Sequence, residues 1–132
     1  MELVEQQVNE RIAKHLQKPL PIKQLIVGIL LELVPISEQH IVEMQVWLEF
    51  VSYKLRSGEP TEDSILRGIH KVFAYLQQEN LLKEEIVVQD EIDHLHAFID
   101  GLALHVLMGF VAMDKKRLYC LIEKEIDKII KA

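Results

Sequence analysis

Apolar residues recur at steps of three and four along most of the chain, and no segment sustains the two-residue alternation of a half-buried strand. The pattern predicts an all-α, single-domain bundle of about six helices. Val4, Val8, Ile12 and Leu16 form a thin apolar stripe on a first helix over 1–16, which Pro19 and Pro21 close off. A second helix starts at Pro21, presents Leu25, Ile26, Ile29, Leu30, Leu33 and Val34, and stops at Pro35. Ser37 suits the N-cap of a third helix running to about Ser57, with Ile36 and Ile41 as a hydrophobic staple and Gly58 as its left-handed end. Gln45, Glu49, Ser52 and Arg56 make the polar side of that helix; Met44, Trp47, Val51 and Leu55 make the other. A fourth helix begins near Pro60 and Thr61, points Ile65, Ile69, Val72, Phe73 and Leu76 inward, and breaks at Asn80. After a partly apolar connector, a fifth helix runs from Asp90 to Met113. Asp114 caps a sixth, on which Leu118, Leu121, Ile122, Ile126, Ile129 and Ile130 share one face.

The fifth helix carries the most information. From Leu95 to Met113 only His96, Asp100 and His105 interrupt apolar and glycine residues, and a helix apolar on nearly every side has to be covered on both flanks. Ala97, Gly101, His105, Gly109 and Ala112 fall close to one line, where small side chains let a second backbone approach. A homodimer follows as the expectation. Its seam would run along Gly101 and Gly109 together with the last helix, placing Ala97, Gly101, His105, Gly109, Leu118, Leu121, Ile122 and Ile126 in the interface. Leu95, Ile99 and Leu102 would close the subunit's own core.

Composition narrows the function classes. A chain of 132 residues can bury a core without staples, and its single Cys120 allows no internal disulfide. Net charge is −6 with the lysines and arginines dispersed, so the chain lacks the basic footprint of a nucleic-acid binder. Asp100 in the middle of the apolar run argues against a membrane span, and nothing at the N-terminus has the order of a signal peptide. A reducing cytoplasm is the expected compartment.

The segment from Leu95 to His105, LHAFIDGLALH, follows a connector after Asn80-Leu81-Leu82 and precedes a short charged helix. This order resembles the C-terminal domain of TetR-family transcriptional regulators, in the subgroup typified by the regulator of choline-to-betaine metabolism. Trp47-Leu48-Glu49-Phe50 is similar too, and the likeness spans nearly the whole chain. The resemblance implies a bacterial, homodimeric sensor, a repressor, in which residues 1–132 form the effector-binding and dimerisation domain and 1–16 the linking helix. Its last two long helices would pair with those of the partner in a four-helix seam. The family's helix-turn-helix domain is not found in this chain, so DNA is an expected partner only through a domain outside it.

The candidate chemistry is that of binding. Met44, Trp47, Phe50 and Phe73 either line an apolar cavity for a small-molecule effector or pack as plain core; Trp47 also offers a π face to a cation, with Glu43 and Glu49 near it in sequence. His96 and Asp100 share a face four residues apart, suited either to hold a ligand's polar group or to satisfy each other at the seam. Glu91 and His94 have the spacing of a di-iron ligand pair but lack the second pair such a site needs, so no metal or cofactor is expected. Cys120 reads as a core or interface thiol, and no catalytic residue is expected. The readings from other classes are a small metal- or oxygen-handling bundle and a ligand-free interaction module.

Overall fold

The computed structural model describes Gln6, Gln7, Glu10, Arg11, Lys14, residues 21–59 and residues 64–131. Within them the chain is all-helical: α1 (Ile22–Leu31), α2 (Glu38–Ser57), α3 (Ser64–Gln78), α4 (Val88–Leu107) and α5 (Lys115–Asp127), with Gln6, Gln7, Glu10, Arg11 and Lys14 helical ahead of α1. The stripe of Val4, Val8, Ile12 and Leu16, and the helix start at Pro60 and Thr61, lie outside the described residues.

Helix ends follow local chemistry. Ser37 caps α2 by accepting the His40 amide, and Gly58 ends it with a φ of 71°. Asp114 caps α5 by accepting the Lys116 amide. Helix α1 stops three residues short of the expected Val34. The amides of Glu32, Leu33 and Val34 reach back only three residues, tightening the backbone ahead of Pro35, whose ring disfavours a helical predecessor.

Helix α1 packs against α5, and α3 against α4. One cluster joins them, built from Ile26, Val27 and Leu30 of α1, Ile69, Phe73 and Leu76 of α3, Ile92, Leu95, Ile99 and Leu102 of α4, and Leu118, Ile122 and Ile126 of α5. Leu95, Ile99 and Leu102 thus take the inward role expected of them. Past α5, Ile129 and Ile130 are buried and meet the connector: the Lys83 amide donates to the Ile129 carbonyl (2.9 Å) and the Lys131 amide to the Leu81 carbonyl (2.8 Å). This bridge pins the end of the chain to the loop between α3 and α4. Helix α2 is different, because of its residues only Glu43 and Met44 are buried.

Helix α4 ends at Leu107, not Met113. Gly109 has a φ of 81°, its amide donates to the Val106 carbonyl (3.1 Å) and the Phe110 amide to the His105 carbonyl (2.8 Å), a left-handed C-terminal motif that glycine adopts at little cost. Gly109 and Ala112 therefore do not continue the line of small residues on α4. The glycine is the stop signal of the helix.

Candidate functional site

On the outward side of α4, Ala97 and His105 are exposed and Gly101 is half-buried, with no heavy atom beyond its chain neighbours and its own helix backbone within 4 Å of where a Cβ would stand. These three keep the helical spacing of the expected seam. Beyond them Met108 and Phe110 stand 60% and 69% exposed, the Phe110 ring meeting the His105 imidazole edge-on with centroids 5.8 Å apart. The strip is uncovered in the single chain.

The other half of the expected seam has a different place. Leu118, Ile122 and Ile126 are 0% exposed inside the subunit's own cluster, on the helix that packs against α1, while Leu121 is half-buried at its margin. Their periodicity showed a buried face, and within the single chain that face is already covered by the core cluster. Cys120 is exposed, so it is no core thiol.

Of the aromatic and methionine candidates, Phe73 lies inside the core cluster and the other three lie outside it. Phe73 is sealed in the central cluster at 1% exposure. Met44, buried, and Trp47 and Phe50, half-buried, stand outside that cluster on α2, where the Lys54 ammonium lies 5.4 Å from the centre of the Phe50 ring. Farther along α2, Leu48, Glu49, Ser52 and Arg56 line an open groove of about 500 Å³. Arg56 donates to the Ser52 hydroxyl there (2.8 Å), so the polar stripe read from the sequence is partly joined within itself.

Two polar arrangements stand out. His96 Nε2 lies 3.2 Å from Asp100 Oδ2, which brings together the pair expected from its four-residue spacing, with both side chains about a quarter exposed. His94 does not pair with Glu91; its Nε2 lies 3.1 Å from Glu125 Oε2 on α5. Among the described residues no group of three or more histidine, cysteine or acidic side chains is placed to hold a metal.

A third arrangement has no signature in the sequence. Arg11 Nε donates to Glu32 (2.7 Å), its Nη1 donates to Glu43 (2.9 Å) and its Nη2 donates to the other oxygen of Glu43. His40 bridges the same corner, with Nε2 3.3 Å from Glu32 and Nδ1 2.7 Å from the Ser37 hydroxyl. Glu43 is 7% exposed, and a forked guanidinium is the partner that makes such burial tolerable for a carboxylate. Hydrogen bonding to Glu43 raises the Arg11 pKa above its ordinary value, with Glu32 adding to it against the cost of burial. Glu43 is therefore engaged inside the protein rather than free to neutralise a cationic ligand. The contacts span 21 and 32 residues, beyond any periodicity argument.

The profile of the BetI-type transcriptional repressor C-terminal domain matches residues 23–131, which takes in nearly all of α1 and the whole of α2 to α5. The chain belongs to this TetR-type family of transcriptional regulators. A relative, the HTH-type transcriptional regulator PksA of Bacillus subtilis (strain 168), is 35% identical over 132 residues, covering 98% of this chain. The chain spans 64% of the length of that regulator. No solved structure matches it. For a TetR-type C-terminal domain the all-α architecture is as expected, and no described helix is long and apolar enough to cross a membrane.

Proposed function

We propose that this domain senses a small molecule and holds two subunits of a bacterial transcriptional repressor together, acting on DNA through a helix-turn-helix domain and having no catalytic activity of its own. The observation that supports this reading best is the uncovered strip of α4: Ala97, Gly101 and His105 offer a second backbone a close approach, in a chain of a DNA-regulator family. Two copies of α4 meeting there, with the outer side of α5 alongside, form the seam. Leu118, Ile122 and Ile126 stay within each subunit.

Ligand contact falls to α2 in this reading. Trp47 and Phe50 supply apolar and π surface, and His96 with Asp100 supplies polar contacts from α4. An effector that binds one arrangement of the helices better than another shifts the population toward it, and reciprocal linkage carries that shift to the DNA-reading heads. The compartment is the cytoplasm, where such a regulator meets DNA.

Trp47, the single tryptophan, reports the test. A panel of small molecules is titrated against the chain with Trp47 fluorescence as the signal, and any saturating compound is added to the intact regulator on its operator. The reading expects operator affinity to change at least about fivefold, the usual scale of allosteric coupling. A compound that saturates the chain and leaves operator affinity unchanged contradicts it.

A further inference from the structure

We propose that Arg11 is a latch that reads the angle between α1 and α2 and fastens the N-terminal helical segment to the bundle only while that angle is held. The geometry points to this because the two acceptors of the guanidinium sit on opposite sides of one corner. Glu32 is the residue that ends α1, Glu43 lies in the second turn of α2, and Val34, Pro35 and Ile36 make the bend between them. A guanidinium is a rigid planar fork, so it satisfies both carboxylates only when they stand at one separation and orientation. Changing the angle of α2 parts the acceptors, and Arg11 then keeps one of them.

The surroundings leave α2 able to make that change. Its buried residues are Glu43 and Met44, whereas Val42, Tyr53 and Leu55 along the rest of it are more than half exposed. By contrast, α4 and α5 each bury a continuous row, from Ile92 to Val106 and from Leu118 to Ile126. The central cluster contains no residue of α2, so α2 can pivot about its first turns without opening that cluster. Trp47 lies one turn beyond Glu43, so a change of packing at Trp47 is felt directly at the fork. Arg11 acts through the two glutamates, as a positioning residue rather than a binding one. The use of the latch in sensing rests on the function proposed above; the latch itself is tested without any ligand.

The test is hydrogen exchange on the unaltered chain and on Arg11→Lys and Glu43→Gln. In the unaltered chain, the amides of Glu10, Arg11 and Lys14 are expected to open together with those of the first turns of α2, and more readily than the amides of Ile122 and Ile126. Lysine keeps the charge but cannot fork, and Arg11 is partly exposed, so Arg11→Lys leaves the cluster intact. Both variants should speed exchange at Glu10, Arg11 and Lys14 by about tenfold or more, the scale of one lost charge-assisted hydrogen bond. Exchange at Ile122 and Ile126 should stay within about twofold of the unaltered chain. The latch is refuted if the N-terminal amides exchange as before, if α5 exchange rises by the same factor as theirs, or if the unaltered chain opens as a single unit.

Discussion

The Gly109 amide donates to the Val106 carbonyl across 3.1 Å with Gly109 at a φ of 81°, and that bond fixes where α4 stops and how long its outer face is. Gly101, two turns earlier, has ordinary helical backbone and open space beside it. The two glycines do different things, and substitutions separate them.

Gly109→Ala places a Cβ in the left-handed region, at a cost of about 1–2 kcal/mol. Thermal unfolding followed by circular dichroism should show a midpoint lower by roughly 4–8 °C, with the subunit association constant little changed. A rise in the midpoint would mean that the turn is not formed.

Gly101→Leu adds a side chain whose Cβ has no heavy atom within 4 Å beyond its chain neighbours and the backbone of its own helix. Helical content and single-chain folding are expected to be unchanged, or improved by up to about 1 kcal/mol on propensity grounds. Sedimentation velocity should nevertheless show association weakened by at least about tenfold, because the added side chain fills the space the second backbone needs. Undiminished association would place the seam elsewhere.

Ile122→Ala removes a side chain with no exposure, sealed in the core cluster. The expected loss is about 2–5 kcal/mol of folding stability in urea denaturation, the usual range for a large-to-small change in a core. Were the loss confined to association, with folding unaffected, Ile122 would belong to the seam after all.

Stability should decline on the alkaline side. Burial, with the Glu123 charge, holds the Tyr119 phenol above its ordinary 10.0, and the hydrogen bond to Asp127 holds the Lys23 ammonium above 10.5. Each group binds its proton more tightly folded than unfolded. Its contribution is therefore complete below the unfolded value and is lost as pH rises through the folded one. Urea midpoints measured from about pH 9 to pH 11 should fall, and Tyr119→Phe should fall less over that range. A profile identical to that of the unaltered chain would remove the phenol from the account.

Local signals in the sequence were legible and long-range ones were not. Ser37, Gly58 and Asp114 announce helix ends because a cap needs only its own neighbours, and His96 with Asp100 is readable because four residues make one turn. Gly109 fits both a small-residue line and a helix stop; spacing favours the first reading, and only the backbone angle decides for the second. Periodicity shows that Leu118, Ile122 and Ile126 are covered without showing whether α1 or another subunit covers them. The pairing of His94 with Glu125, and the fork from Arg11 to Glu32 and Glu43, join residues 21 to 32 positions apart that no turn of helix brings together.

Native mass spectrometry of the gently purified chain at micromolar concentration tests the central claim most directly, since one spectrum reports both assembly and retained small molecules. The account predicts a species of twice the chain mass, reduced to the single-chain species by Gly101→Leu and retained by Gly109→Ala. A spectrum holding only single chains at that concentration would contradict it.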